Sequence, residues 1–409
     1  MKKLQKKFPL ISFEKFFWSF SKRKIEILFF YQLSKINFTH KISIFSPENI
    51  SHQNIENLIF HLGIVEILNY WKLSASPTIE IKTGFLGKKE ISFYRDFFLK
   101  GMGEFFYQNK INFKEKNFLN FKISSQKKYF PSKFPLKERY LLAFGGGKDS
   151  FLSYEKLKKE KKEFFLVISN LENLPRVQKF LKDFKIKKVI KIKREIDKKV
   201  LALNKKGFFN GHIPITGILH FLFSVVACAF DFKYVVFSNE KSANEGNTFY
   251  LGQKINHQYS KSDEFEKKFK NFSKKFLNPN LEVFSLLRDL SEKEIAKKFS
   301  KLEKYFPYFL SCNKGQKKGK WCKNCPKCLF LYFSLYPFLD EKKLLSIFGE
   351  NLLEKKKLLR TFQSFFDKRF KKPFECVGTK NESKEILMLS LKKAKKEKKV
   401  PFLLKKFLK

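Results

Sequence analysis

The stretch Tyr140-Leu-Leu-Ala-Phe-Gly-Gly-Gly-Lys-Asp-Ser150 decides the predicted fold. The apolar run 141–144 predicts a strand, three glycines follow it, and residues 151–162 have a helix-like pattern. Glycines let backbone N–H groups close on an anion, while a helix N-terminus and Lys148 add positive charge. A strand, a glycine turn and a helix start therefore predict a phosphate-binding loop.

Two common phosphate-binding patterns do not fit this loop. G-x-x-x-x-G-K-[ST] fails at Leu142 and Asp149, and G-x-G-x-x-G fails at Ser150. The loop resembles the S-G-G-x-D-S loop of the PP-loop ATP pyrophosphatases, with Gly145 at the first serine position. This resemblance implies cleavage of ATP to AMP and pyrophosphate, whereas the alternative is a glycine-rich turn without a ligand. The residues implied to hold ATP are Gly145, Gly146, Gly147, Lys148, Asp149 and Ser150.

The composition is strongly basic, with 86 Lys and Arg against 39 Asp and Glu and a net charge of +47. Lys, Phe, Ile and Asn are abundant while Arg, Ala, Gly and Pro are scarce, which is typical of an AT-rich genome. No apolar run reaches the ~20 residues that span a bilayer, and the N-terminus lacks a signal-peptide core. A cytoplasmic protein with no nucleic-acid partner is expected. Contact of the Lys-rich ends with an anionic membrane, and the oligomeric state, stay open.

Strand and helix patterns alternate from residue 140 to about 300 and predict βαβ units. The predicted fold is α/β, with a doubly wound parallel sheet of PP-loop type, an N-terminal α+β domain and a small helical region with a four-cysteine zinc loop. The predicted strands are 141–144, 164–169, 188–192, 234–238 and 283–287. The predicted divisions are a basic, poorly defined extension (1–54), an α+β substrate domain (55–135), an ATP-binding domain (136–305), a cysteine-cluster region (306–385) and a frayed Lys-rich tail (386–409).

Ligands in open parallel sheets bind beyond the carboxyl ends of the strands. Three polar segments lie after predicted strands or in loops, and each carries a His or Glu: 204–216, 238–247 and 256–266. Residues 101–109 place two glycines, a carboxylate, a phenol and amides in nine positions. Close packing explains such glycines, and contact with a substrate is the alternative.

Four cysteines follow the spacing C-x9-C-x2-C-x2-C, and they are Cys312, Cys322, Cys325 and Cys328. Four thiolates in a short loop can enclose one tetrahedral zinc, and a site filled by four cysteines is structural. An iron–sulfur cluster is the alternative ligand. Cys228 lies in an apolar helical run and is predicted to be a core residue.

Taken together, these motifs resemble the UDP-N-acetylmuramoyl-L-alanyl-L-glutamate epimerases of bacterial peptidoglycan synthesis. The matching stretches are 69–72, 101–109, 144–150, 210–216, 238–240, 256–258, 260–262, 311–313, 321–328 and 372–378. The resemblance implies that ATP activates the terminal L-Glu as an acyl-adenylate, which is then inverted to D-Glu with release of AMP and pyrophosphate. It also implies a UDP-linked muramoyl dipeptide as substrate.

Site roles follow from this resemblance. His212 and His257 are the predicted acid/base pair, because imidazole titrates near neutral pH. Glu240 is a third catalytic candidate and Cys376 a weaker one, while Asp149 orients the loop or helps bind Mg²⁺. The residues predicted to contact the substrate are Lys72, Glu104, Tyr107, Asn210, Asn239 and Lys261.

Two other functions compete with the epimerase hypothesis. Another PP-loop enzyme, such as a tRNA-modifying thiolase or a deazaguanine-forming synthase, would also use the glycine loop. A nucleotide-sensing or RNA-binding protein without turnover is the second alternative. The complete set of Lys148, Asp149 and Ser150 argues against an inactive loop.

Overall fold

The computed structural model describes residues 2–408, with side chains from Leu4 onward. Its strands are β1 (Leu10–Ser21), β2 (Lys24–Leu33), β3 (Ile36–Phe45), β4 (Thr78–Ile81), β5 (Asn120–Ile123), β6 (Tyr140–Ala143), β7 (Phe164–Ser169), β8 (Val189–Glu195), β9 (Tyr234–Glu240), β10 (Thr248–Tyr250), β11 (Gln253–Ile255) and β12 (Glu282–Leu287). Its α-helices are α1 (Lys2–Lys7), α2 (Glu56–Glu66), α3 (Leu68–Trp71), α4 (Lys88–Gly101), α5 (Gly103–Gln108), α6 (Lys148–Lys159), α7 (Pro175–Asp183), α8 (Lys199–Lys205), α9 (Ile215–Ala229), α10 (Asp263–Phe272), α11 (Glu292–Phe299), α12 (Pro326–Leu335), α13 (Glu341–Phe348), α14 (Leu359–Gln363), α15 (Lys380–Lys396) and α16 (Phe402–Lys405). Among residues 2–408, no helix is both long enough and apolar enough to cross a membrane.

Ten strands form one sheet in the order β12-β9-β6-β7-β8-β3-β2-β1-β4-β5. The five strands from β12 to β8 are all parallel to their neighbours. β8, β3, β2 and β1 then pair antiparallel, and β1, β4 and β5 pair parallel. All five strands predicted for the ATP-binding domain are confirmed, and they form the parallel part of the sheet.

Both faces of the parallel part are covered, as the doubly wound prediction requires. Successive residues of one strand enter different cores: Leu141 of β6 packs with α9, and Leu142 packs with α6 and α12. Leu166 and Val167 of β7 alternate in the same way. Strands that are buried on both faces need continuous apolar runs, which explains the apolar runs 141–143 of β6 and 164–168 of β7.

The predicted poorly defined extension at residues 1–54 is wrong. Residues 10–45 form three long antiparallel strands, and β3 pairs directly with β8 of the parallel part. In β2 every second residue is buried, from Ile25 to Leu33, which is the period of a strand with one face in the core. Apolar residues such as Leu28 and Phe30 on the other face obscure this alternation in the sequence.

The predicted frayed tail at residues 386–409 is also wrong over the described part of the chain. α15 begins at a capping box formed by Thr379 and Glu382 and extends to Lys396. Leu403 and Leu404 of α16 are fully buried. Most lysines in the described part of this tail are exposed, while the apolar residues of its helices pack against the C-terminal core.

A buried ion pair joins the two parts of the sheet. Glu66 of α2 is fully buried and accepts a hydrogen bond from Arg194 Nε of β8 at 2.7 Å. Asn69 Nδ2 donates to the same carboxylate at 2.8 Å, and His40 of β3 lies 3.7 Å from it. Burial alone would raise the pKa of Glu66, but the charge of Arg194 outweighs burial and lowers it.

We predict that Glu66→Gln destabilises the protein by about 3–5 kcal/mol, because it leaves Arg194 buried without a counter-charge. Chemical denaturation would measure the loss in the free energy of unfolding. The matched control is Glu163→Gln, which breaks the exposed pair with Lys188 and should leave the stability unchanged. Equal effects of the two substitutions would contradict a structural role for the buried pair.

Candidate functional site

The glycine loop between β6 and α6 is closed by contacts that only glycine permits. Gly146 has φ +75°, and a Cβ there would lie 2.4 Å from Val177 Cγ2. A Cβ at Gly147 would lie 2.7 Å from Ser311 Oγ. The Gly146 carbonyl accepts a hydrogen bond from the Leu310 N–H at 2.9 Å, so the segment leading to the cysteine loop docks against the glycine loop.

A cavity of about 520 Å³ opens beside this loop, at the carboxyl ends of β6, β7 and β9. β6 has β7 on one side and β9 on the other, so the cavity lies where the strand order reverses. The predicted site residues that line it are Gly145, Gly147, Asp149, Ser150, Asn239 and Lys261. The size, the position and the glycine cradle fit a nucleotide with its phosphates at the loop.

Lys148 is placed differently from its neighbours in the loop. Its side chain is 1% exposed, and its ammonium contacts Asp149 at 2.5 Å and Glu292 at 2.8 Å. Burial alone would lower the pKa of Lys148, but the two carboxylates outweigh burial and raise it. Burial also raises the pKa of Glu292 and of nearby Glu240. The lysine therefore neutralises a carboxylate cluster directly behind the glycine loop.

A second group of polar side chains contains both predicted histidines. His257 Nδ1 contacts the Glu104 carboxylate, and His212 Nδ1 lies 3.6 Å from the same oxygen. The two imidazole rings are 4.5 Å apart. Gln108 Nε2 donates to the other oxygen of Glu104 at 2.6 Å. Segments 101–109, 204–216 and 256–266 thus meet at one carboxylate.

The glycines of segment 101–109 make this meeting possible. A Cβ at Gly101 would lie 2.8 Å from Pro214, and a Cβ at Gly103 would lie 3.2 Å from Ile255. Pro214 and Ile255 are each two residues from a histidine of the group. The close packing considered for these glycines is therefore confirmed, and it is what brings the histidines to Glu104.

Cys376 joins this group through the C-terminal strap, defined as residues 372–378. Lys261 Nζ lies 3.3 Å from Cys376 Sγ, and Lys261 also lines the cavity. Burial opposes ionisation of Cys376, but the charge of Lys261 and hydrogen bonding to His257 lower its pKa well below the usual value. Conversely, burial would lower the pKa of His257, but Cys376 and Glu104 raise it to about 9. Burial and the neighbouring His257 lower the pKa of His212 to about 3.

The remaining predicted substrate contacts lie around the same group. Lys72 Nζ is 3.5 Å from the Gly211 carbonyl. The Asn210 carbonyl accepts a hydrogen bond from Asn109 at 3.0 Å. The Tyr107 ring lies 5.5 Å from the ring of Phe374 in the strap, and Nζ of Lys371, just before the strap, lies 3.6 Å from the Tyr107 centroid. Asn239 is apart from them, because it is buried at the end of β9 and donates to Ser285.

The four predicted metal ligands also come together. The sulfur atoms of Cys312, Cys322, Cys325 and Cys328 all lie within 4.8 Å of one another. The backbone N–H groups of Gly315 and Cys322 donate to the Cys312 sulfur at 3.2 and 3.3 Å. Four converging sulfurs with such donors fit a closed tetrahedral metal site. Asn313, Gln316 and Lys317 of the same loop line the cavity.

Comparison with known proteins covers most of the chain. Residues 3–286 match the MurL N-terminal domain, and residues 308–407 match the MurL C-terminal domain. The chain belongs to the MurL family. The family resemblance stated from the motifs is thus confirmed.

Relatives of this MurL family member carry one name, UDP-N-acetyl-alpha-D-muramoyl-L-alanyl-L-glutamate epimerase. The relative from Xanthomonas oryzae pv. oryzae is 30% identical over 349 residues, covering 81% of this chain and 74% of the relative. The relative from Salinispora tropica is 31% identical over 341 residues, covering 81% of this chain and 72% of the relative. A third, from a Micromonospora species, is 29% identical over 361 residues, covering 84% of this chain and 76% of the relative.

Two residues at this site of the MurL-family chain were not among the predicted site residues. Glu292 pairs with Lys148, and Asn170 lines the cavity with φ +52° while its side chain accepts a hydrogen bond from the Arg194 N–H. Both follow strands of the parallel sheet, so the rule that ligands bind beyond strand ends applied to them as well. Glu292 directly follows Ser291, whose capping box with Glu294 marks a helix start in the sequence.

We predict that Gly146→Ala costs this MurL-family chain about 2–4 kcal/mol of unfolding free energy, because alanine meets both a left-handed backbone and Val177. Gly145→Ala is the matched control, since nothing lies within 4 Å of a Cβ there. Thermal and chemical denaturation of both variants would measure the difference. Similar stabilities would show that the loop does not adopt this conformation.

Proposed function

We propose that this chain is an ATP-dependent epimerase that inverts the terminal L-glutamate of UDP-N-acetylmuramoyl-L-alanyl-L-glutamate in peptidoglycan synthesis. One observation carries the proposal: Lys261 lines the nucleotide-sized cavity and also contacts Cys376, which lies beside the imidazole group. A site for activation by ATP and a site for proton transfer are therefore contiguous. The name shared by the relatives supplies the substrate.

The chemistry explains why both sites are needed. An α-hydrogen next to a carboxylate is a very weak acid, because its removal would create a dianion. Joining that carboxylate to the AMP part of ATP, with release of pyrophosphate, removes the negative charge and leaves an electron-withdrawing carbonyl. A base can then take the α-proton, and return of a proton to the opposite face gives the D centre. Hydrolysis of the mixed anhydride releases the product and AMP.

In this proposal the glycine loop binds the ATP phosphates. Gly145 and Gly147 offer backbone N–H groups, and Ser150 lies at the start of α6, whose N-terminus favours anions. The carboxylate of Asp149 lies at the cavity wall. It is suited to bind Mg²⁺, which would offset the charge of the pyrophosphate. Lys148 stabilises the loop by neutralising the carboxylates of Asp149 and Glu292.

The two histidines are suited to proton transfer because their environments drive their pKa values apart. With its pKa lowered to about 3, His212 is neutral near pH 7. With its pKa raised to about 9, His257 is protonated near pH 7 and can donate one. Inversion at a carbon centre requires a base on one face and an acid on the other, and the protonated His257 is suited to be the acid. Lys72, Tyr107 and Asn210 border this group, and in this proposal they contact the substrate.

We predict that the purified protein releases AMP only when the UDP-linked L-Ala-L-Glu substrate is present with ATP and Mg²⁺. In D₂O, deuterium should enter the glutamate α-position, as measured by mass spectrometry, while chiral chromatography detects D-Glu after hydrolysis. AMP release that depends on tRNA instead would support the thiolase alternative. Absence of AMP formation under all these conditions would contradict enzymatic turnover.

Lys148→Ala provides the matched test of the loop. It should lower AMP formation by at least about a hundredfold, because Asp149 and Glu292 lose their counter-charge beside the phosphates. Lys158→Ala removes an exposed lysine from the same helix and should retain wild-type activity. Full activity of Lys148→Ala would show that this loop does not bind the reacting phosphates.

We also propose that the four-cysteine cluster holds one structural zinc ion that keeps Asn313, Gln316 and Lys317 at the cavity wall. The colourless protein should contain about one zinc per chain, and Cys328→Ser should lose it and unfold at a lower temperature. Elemental analysis and thermal denaturation would measure both effects. Cys228→Ser, in the apolar helix α9, should keep its zinc, whereas a brown protein with iron and sulfide would indicate an iron–sulfur cluster.

A further inference from the structure

The segment that carries Cys376 is held in place by contacts from two separate parts of the chain. Lys372 Nζ of the strap contacts Glu245 at 2.7 Å, and the Pro373 carbonyl accepts from Asn247 Nδ2 at 2.6 Å. Asn313, next to a cysteine of the metal cluster, donates to Glu375 Oε2 at 3.1 Å. The residues on both sides of the sulfur are thus fixed against the loops after β9 and the cysteine loop.

Asn247 links the strap directly to the histidine group. Its side-chain oxygen accepts a hydrogen bond from the backbone N–H of His257 at 2.9 Å, while its amide donates to Pro373. One asparagine side chain therefore sets the position of His257 relative to the strap that carries Cys376. A residue that served only to fill the core would not need this positioning.

The charges that face the sulfur favour its ionised form. Positive charge comes from Lys261 and His257 in segment 256–266 and from Lys327 in α12. Glu240 at the end of β9 and Glu375 in the strap are the acidic groups that face it, and burial raises the pKa of both. Lys261 lies in contact with the sulfur, so the balance stabilises a thiolate.

Cys228 shows what a purely structural cysteine looks like in the same protein. It is fully buried among apolar residues of α9, and burial raises its pKa. Cys376, by contrast, is half-buried, contacts an ammonium group and lies beside the predicted acid/base pair. It also lies outside the four-cysteine cluster.

We infer, on the basis of the proposed epimerase function, that the Cys376 thiolate is the base that removes the α-proton of the activated L-glutamyl residue. As the C–H bond breaks, its electron pair moves onto the acyl carbonyl and an S–H bond forms. The imidazole pair returns a proton to the opposite face and forms the new C–H bond. Proton exchange with water then restores the thiolate and the imidazolium.

Cys376→Ser tests this role, because an alcohol of similar shape is not ionised near neutral pH. Substrate-dependent AMP formation should stay within about threefold of wild type, while D-Glu formation should fall by about 10²–10⁴-fold. Cys228→Ala should leave both rates unchanged. Unchanged epimerisation by Cys376→Ser would overturn the inference, and so would loss of AMP formation together with epimerisation, since that would indicate a structural role.

A second measurement does not depend on turnover. The ultraviolet absorbance of the thiolate, taken as the difference between wild type and Cys376→Ser, should appear well below the pH at which an ordinary thiol ionises. Lys261→Met should shift its appearance to higher pH, because the contacting positive charge is lost. A sulfur that ionises only above about pH 8 would overturn the inference.

The two proposals fail in different ways. If the wild-type protein forms no AMP with the muramoyl dipeptide substrate, the proposed function fails and the inference falls with it. If wild-type turnover is normal but Cys376→Ser epimerises at the wild-type rate, the inference alone fails.

Discussion

The closed conformation of the glycine loop is the constraint on which the site depends. Gly146 turns through a left-handed backbone conformation, and the space that a Cβ would need is filled by Val177. Its carbonyl is then free to accept the Leu310 N–H, which brings the cysteine loop to the edge of the cavity. That loop supplies Asn313, which in turn holds Glu375 of the strap. One tight turn thus aligns the glycine loop, the four-cysteine cluster and the segment that carries Cys376.

Charge inside the site is arranged in compensated groups. Lys148 neutralises two carboxylates next to the loop. Lys261 contacts the sulfur of Cys376 and faces the acidic Glu240. Burial raises the cost of any unpaired charge, so each group is stable only when its partners are present. A highly basic composition alone does not explain this arrangement. Most of the 86 basic residues stay at the surface, and only a few buried lysines act in the site.

Local patterns in the sequence were sufficient to predict the parallel strands, the glycine loop and the cysteine cluster. Each of these depends on residues that are close in the chain, such as the apolar run before Gly145. The histidines were found because His212 and His257 lie in polar segments outside the regular elements. The pairing of β3 with β8 was not predictable in this way, because it joins residues about 150 positions apart and no local period encodes it. For the same reason, the sequence did not predict the contact of Cys376 with Lys261, which lies 115 residues away in the chain.

The unbroken sheet also limits how the protein can move. Backbone hydrogen bonds between β3 and β8, together with the buried contact of Glu66 with Arg194, couple the N-terminal strands rigidly to the parallel strands beside the cavity. Hinge closure of two halves around a substrate would have to break these bonds. The proposed UDP-linked substrate would therefore enter and leave through movement of surface segments. The short hairpin of β10 and β11, in which Phe249 is 73% exposed, belongs to a separate two-stranded sheet and is not restrained by pairing with the large one.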